Sequence, residues 1–377
     1  MAAANTAFGQ KDYDAARKIY ESALHEAESK PGNEQQVVQS LSKLAVVYQL
    51  LGEYGNAANA YLRALPIWEK ALGPDDLIVA KAYEKLAGVY QDGGKFQAAE
   101  NAYRKSLAVL EQNPNSTDTM RAPSLKGLAE IYHSEHRYLE AESVCRRLLA
   151  IWEAALGAEH PVVAENMNNL ASVYQDDGKL DLAEPLLRKA LAIAQKTMGP
   201  EDPFQTPILN NLGDLYYAEK KYAQAEVLLR KSLAITTRVA GPNGVETAQV
   251  LNSLALVYDA RGKRAAAEPM YRRALKIWTT SYGRNDPNVV AVLNNLAGLL
   301  AAEGRYKEAG PFFERSLDAV QKAYGPNDLH VAQVLESYAA FLRKTKRVEE
   351  ARLMAEAAQT IRRTHENVQP TATGQPQ

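Results

Sequence analysis

The segment MNNLASVYQDDGKLDLAE, Met167 to Glu184, returns as LNNLGDLYYAEKKYAQAE, Leu209 to Glu226, 42 residues further on. The same interval organises most of the chain. Steps of 42 from Leu44 reach Leu86, Leu128, Leu170, Leu212, Leu254, Leu296 and Tyr338 without an insertion. Four residues after these stand Tyr48, Tyr90, Tyr132, Tyr174, Tyr216, Tyr258, Leu300 and Leu342. Thirteen residues after each member of the Leu44 series comes an alanine: Ala57, Ala99, Ala141, Ala183, Ala225, Ala267, Ala309 and Ala351. An earlier stretch, Asp12 to Leu24, matches the second half of a unit at an offset of 41. A period of this size restricts the fold severely. Each unit is one supersecondary piece that cannot hide its apolar face alone, so the core must grow by stacking units along one direction.

Each unit reads as two helices. Met167, Leu170, Ala171 and Tyr174 fall on one helical face. A break follows at Asp177-Gly178, and glycine recurs in that register as Gly52, Gly94, Gly262 and Gly304. In the second helix Ala183, Leu187, Ala190, Leu191 and Ile193 face inward. The unit closes on MGPEDP, where Gly199 suits a helix end, Asp202 a cap and Pro203 the first position of the next helix. The alanine marks a close helix crossing that a larger side chain would force apart. Pro185, Pro269 and Pro311 share a register just after it, so those helices either start late or bend. A kink is expected near Pro66.

The expected fold is all-α: an α-α superhelix of about eight full 42-residue repeats after one partial N-terminal repeat. A single domain spans 1–363, with the partial repeat at 1–32, full repeats from about 33 and a capping last repeat. Residues 364–377, rich in polar residues and proline, are expected to be a disordered tail.

The recurring leucine, alanine, tyrosine, glycine and alanine resemble the tetratricopeptide repeat, although its usual period is shorter. Segments such as LNNLAGLLAAEGRYKEA, Leu293 to Ala309, and the LGP-type turns are similar to the kinesin light chain subgroup. The resemblance covers Asp12 to Arg363. It implies a right-handed superhelix whose first helices line a concave groove that takes peptides or partner proteins. The long heptad coiled coil that would join such a light chain to a motor does not occur in this sequence.

A second, polar stripe lies beside the buried one. Glu165, Asn168, Ser172 and Gln175 occupy an adjacent helical face, and Asn210, Asp214 and Tyr217, then Asn252 and Asp259, then Asn294 repeat it. The resemblance places this face in the groove. Asparagine offers both a donor and an acceptor, so Asn168, Asn210, Asn252 and Asn294 could hold the backbone of an extended peptide. They could equally bond to neighbouring helices and fix the stacking, a role assigned to Asn169, Asn211 and Asn295. The candidate groove residues are therefore Asn168, Asn210, Asn252, Asn294, Gln175, Asp214, Tyr217 and Asp259.

Acids on this face (Glu84, Asp92, Glu130, Glu165, Asp176, Asp214, Asp259 and Glu336) outnumber the bases Lys81, Lys126, Arg343 and Lys344. The partner expected is a neutral or basic segment, and the acidic motifs associated with kinesin light chains are not carried over.

Other chemistry finds little support. A net charge of -1 gives no bulk attraction to nucleic acid or an anionic membrane. No apolar run is long enough to span a bilayer. Cys145 is the single cysteine, so no internal disulfide can form. No phosphate loop or activated nucleophile is recognisable, and His133, Glu135, His136 and Cys145 do not have the spacing of a metal site. Trp68, Trp152 and Trp278 share one register and are read as packing residues. The expectation is a monomeric, non-enzymatic scaffold without cofactor or metal. It would be cytoplasmic, or exported with its signal peptide removed. The rival expectations are an effector-sensing regulatory domain and a self-assembling structural protein.

Overall fold

The protein is described by a computed structural model of residues 2–368, with side chains from residue 5 to residue 365. The described residues form eighteen α-helices and no strand. They fall into two compact units, 1–193 and 194–377, and the division lies inside one helix. The first unit holds α1 (Ala2–Gly9), α2 (Tyr13–Glu28), α3 (Glu34–Leu50), α4 (Tyr54–Leu72), α5 (Leu77–Asp92), α6 (Phe96–Gln112), α7 (Asp118–Ser134), α8 (Tyr138–Leu156), α9 (Pro161–Asp176) and most of α10 (Leu180–Met198). The second holds α11 (Gln205–Ala218), α12 (Tyr222–Val239), α13 (Val245–Ala260), α14 (Arg264–Tyr282), α15 (Pro287–Ala302), α16 (Tyr306–Tyr324), α17 (Leu329–Lys344) and α18 (Val348–Val368). The N-terminal partial repeat is thus a short first helix packed on a full second one.

In each unit every helix packs on the next in sequence, from α1 to α9 and from α11 to α18. First helices also meet one another directly: α5 with α7, and α11, α13, α15 and α17 in succession. Second helices make no comparable approach within either unit. The first helices therefore crowd the inner side of each unit. The repeat's apolar registers explain the packing. The eight alanines are at most 1% exposed, and the leucine register from Leu44 to Tyr338 is buried throughout. Ala99, Ala141, Ala225 and their equivalents leave room for the neighbouring helix where a longer side chain would not fit.

The turn within each hairpin demands one left-handed residue. Gly52, Gly94, Gly178, Gly262 and Gly304 supply it with φ between 70° and 76°. In the same register His136, Lys220 and Lys346 adopt φ of 58°, 61° and 62°, although a side chain makes that conformation costly. Between hairpins, Asp76, Asp286 and Asp328 cap the following helix, and Pro161 and Pro287 open α9 and α15. Asp202 accepts from the Phe204 amide at 2.8 Å, but α11 begins at Gln205, two residues beyond Pro203.

Pro185, Pro269 and Pro311 lie inside helices that begin at Leu180, Arg264 and Tyr306, so these helices do not start late. Pro66 lies within α4, which runs unbroken from Tyr54 to Leu72. At the C-terminus α18 continues past Arg363 to Val368. The rest of the expected tail, 369–377, lies outside the described residues.

Candidate functional site

The polar stripe on the first helices connects neighbouring repeats in two registers. In one, a side chain bonds to a partner 43 residues away. Gln49 donates to Asp92 at 2.5 Å, His133 meets Asp176 at 2.6 Å, Asn294 donates to Ser337 at 3.4 Å, and Asn295 donates to Asn252 at 3.3 Å. In the other register the offset is 39, as in the 2.9 Å bond from Gln91 to Glu130. Lys126 and Glu165, 3.5 Å apart, and Asp214 with the Ser253 hydroxyl follow the same spacing. The two offsets differ by about one helical turn. They are the spacings at which adjacent first helices touch.

The predicted site residues divide accordingly. Asn168 and Asn210 are buried, and Asn210 accepts a 2.6 Å bond from Ser232 on the second helix of its own hairpin. Asn252, Asn294, Gln175, Tyr217 and Asp259 are half-buried. Asn294 and Asp259 line a cavity of about 280 Å³ with Asn295, Ser337, Lys344 and the ring of Phe341. Ser337 passes its own proton to the Gln333 carbonyl, so its oxygen receives the Asn294 amide. That orientation leaves Asn294 Oδ1 buried without a partner. Removing such an acceptor from water costs about 1–3 kcal/mol.

Asp214 is exposed, yet its carboxyl is pushed up to about 6 by desolvation among crowded protein groups, against the opposing hydrogen bond from Ser253. Tyr217 packs on Tyr222 with ring centroids 5.7 Å apart. Its hydroxyl is raised, first by burial and then by Tyr222 and Asp259.

In the first unit, Lys126, Glu130, His133, Glu165, Asn169 and Ser172 surround a second inner cavity of about 260 Å³, with Cys145 among its lining residues. The Cys145 thiol is buried and pushed up to about 11 by desolvation. His133 is engaged by Asp176, whereas His136 Nδ1 lies 2.8 Å from the Tyr138 hydroxyl. Among the described residues no three His, Cys, Asp or Glu side chains gather as a metal site. Trp278 is buried, and Trp68 and Trp152 are half-buried.

Several groove acids are neutralised. Glu84 pairs with Lys81 at 2.7 Å, Asp259 with Arg264 at 3.1 Å and Glu336 with Arg362 at 2.6 Å. The acidic lean expected from the sequence is therefore narrower than the count of residues implies. Asp92, Glu130 and Asp214 bond to amides or a hydroxyl rather than to cations.

A second set of contacts was not anticipated. The residue after each register alanine is glutamate in Glu100, Glu142, Glu184, Glu226 and Glu268, and a base stands 37 residues later in Arg137, Lys179, Lys221, Lys263 and Arg305. Arg137 donates to buried Glu100 at 2.7 Å, and its guanidinium lies 4.2 Å from the centroid of the Tyr132 ring, whose hydroxyl also bonds to Glu100. Glu142, Tyr174 and Lys179 repeat this arrangement. Arg305 meets Glu268 at 2.6 Å although Leu300 replaces the tyrosine. In the N-terminal tie the polarity is reversed: Arg17 meets Glu53 at 2.7 Å. The tyrosine register found in the sequence thus belongs to an ionic tie between repeats. Charge periodicity at that spacing was the signal for it.

The tetratricopeptide repeat family model matches residues 1–70, 36–112, 120–201, 204–280 and 288–364. The chain belongs to the tetratricopeptide repeat family. Tetratricopeptide repeat proteins are generally non-catalytic scaffolds, and this one shares their helix-pair architecture. Among solved structures, the apo form of RapI is similar with a TM-score of 0.61 at 15% identity, covering 76% of this chain and 99% of that one. A STAND signal-transduction ATPase with a tetratricopeptide repeat sensor from Pyrococcus horikoshii gives 0.57 at 14%, covering 93% of this chain and 54% of that one. BtubC from P. vanneervenii, described as BKLC, gives 0.49 at 22%, covering 67% and 96%. A putative kinesin light chain with nearly identical repeats from Podosopora anserina gives 0.47 at 22%, covering 55% of this chain and 98% of that one. No curated protein sequence matches it. No helix among the described residues is long and apolar enough to cross a membrane.

Proposed function

We propose that this tetratricopeptide repeat protein is an interaction scaffold that holds an extended segment of a partner protein against the inner faces of its first helices, and that it performs no chemistry itself. The observation that carries this is the cavity of about 280 Å³ in the second unit, where Asn294 Oδ1 lies buried without a donor. A small rotation of the Asn294 side chain, held among the described residues by a 3.4 Å bond to Ser337, presents both amide groups to a peptide. A neutral or basic segment is favoured, because Asp92, Glu130 and Asp214 bond to amides or a hydroxyl and have no cationic partner among the described residues, and would repel an acidic one. The scaffold acts as a monomer and as one domain, 1–363. The cytoplasm is the compartment that suits its single reduced thiol.

The test is capture of partners by wild type and by Asn252→Ala/Asn294→Ala. Asn168 and Asn210 are less suitable because their burial makes substitution a stability experiment. Loss of partner with an unchanged melting curve is the expected result. Unchanged capture, or capture of acidic segments alone, would refute it. A sensor is the second reading, favoured by the likeness to the repeat protein whose sensor belongs to a STAND ATPase. It requires the radius of gyration to fall on ligand addition, which a rigid scaffold does not show.

A further inference from the structure

One junction in the second unit departs from the repeat. Leu72, Leu156, Met198, Tyr282 and Tyr324 occupy the position that precedes the inter-hairpin turn, but the fifth full repeat has Ala240 there. Its turn reads GPNG, and α13 begins after Gly244 with no side-chain cap, whereas Asp286 and Asp328 cap α15 and α17. A cavity of about 320 Å³ opens at this place between α11, the end of α12 and the start of α13. Its apolar wall is Pro203, Pro207, Ile235, Val239 and Ala240. Val239 is 59% exposed at the rim of this cavity. The one charged side chain in the lining is Glu246, which is exposed and unpaired with any cation among the described residues. On α12, Arg238 pairs with Glu201 at 2.6 Å and Lys231 donates to Gln205 at 3.2 Å, and Arg273 donates to the Pro242 carbonyl of the turn.

We propose that this cavity is an anchor pocket for a large apolar side chain of the bound segment, with an adjoining cationic group seated against Glu246. This rests on the inner-face reading above and adds to it a specificity: a basic residue next to a bulky apolar one. The cavity is at the small end of ligand pockets, which start at about 300 Å³, and so suits one side chain. Asn210 and Asn211 also line it, placing the anchor beside the predicted asparagine stripe.

The probes are two fragments that share an aromatic body, 2-phenylethylamine and 3-phenylpropionate, titrated into the full chain at low salt and followed by ligand-observed NMR. The amine is expected to bind roughly five-fold more tightly than the acid, the factor of one rim ion pair. Ala240→Trp fills the pocket from an exposed position and abolishes binding. Glu246→Gln removes the preference for the amine. Val239→Lys, also at an exposed site, weakens the amine alone and serves if Ala240→Trp does not fold. Preferential binding of 3-phenylpropionate at the uncapped start of α13 would overturn the proposal, as would amine binding that Ala240→Trp and Val239→Lys leave unchanged. Fragment binding without any partner capture would count against the scaffold function and leave the pocket standing. Partner capture indifferent to Ala240→Trp would do the opposite.

Discussion

At the scale of single residues, the repeat specifies some positions by conformation and others by solvation. The hairpin turn needs a left-handed residue, and Lys220 meets that need at φ 61° despite its side chain. Lys220→Gly relieves the steric cost at the price of a more flexible unfolded chain, and should raise stability by about 0.5–1 kcal/mol in chemical denaturation. No loss of a glycine at these turns is visible as a break in the helix pattern, because His136 and Lys346 adopt the same geometry. Asp214 shows the solvation side. Its folded pKa of about 6 lies above the ordinary 3.8, so the stability linked to its neutral form is complete at low pH and is lost as pH rises through 6. Asp214→Asn should therefore raise the melting temperature more at pH 7.5 than at pH 4. An equal shift at both values would place the cause elsewhere. The asparagine stripe could be read from the sequence, but its burial could not: the same helical face carries buried Asn210 and half-buried Asn252, and the partner that decides, Ser232, lies on another helix.

At the scale of helices and hairpins, apolar spacing settles which faces pack, while ionic ties settle how one hairpin seats on the next. Glu100 is held below its ordinary 4.5 chiefly by the hydrogen bond from Arg137. Its depressed folded value means that this contribution is present above about pH 4.5 and is lost as pH falls further. Arg137→Ala leaves a buried carboxylate without its main partner and uncovers the Tyr132 ring. With Arg137 about a third exposed, the cost should be about 2–3 kcal/mol at pH 7 and should shrink at pH 3, measured by urea unfolding. The paired helices, their turn glycines and the alanine crossings were legible, because 3.6-residue periodicity and glycine act locally, whereas the short α1 and the start of α11 at Gln205 were not. The ties were less so, since glutamate and its base sit 37 residues apart and are joined only by stacking. The prolines within α10, α14 and α16 were legible as residues, but the sequence left open where their helices begin: each proline is the sixth residue of its helix, where one ladder bond is forfeited and the helix still starts a full turn earlier.

At the scale of the molecule, stability accumulates through contacts between neighbouring repeats. Interior hairpins have a neighbour on both sides, whereas α1 and α18 end their units with one. Hydrogen exchange should accordingly be fastest in α1–α2 and α17–α18 and slowest in α5–α8 and α13–α16. Uniform protection along the chain would mean that each unit unfolds as a single body. The register of the inner-face bonds has a further consequence. The bonds that join one first helix to the next span 39 or 43 residues, so a gain or loss of one residue inside a hairpin mismatches both sets, while copying or excising a whole period leaves them intact. Such a gene can change length safely only in whole-unit steps, by unequal recombination between its copies, and each step alters the reach of the protein without redrawing its surface chemistry.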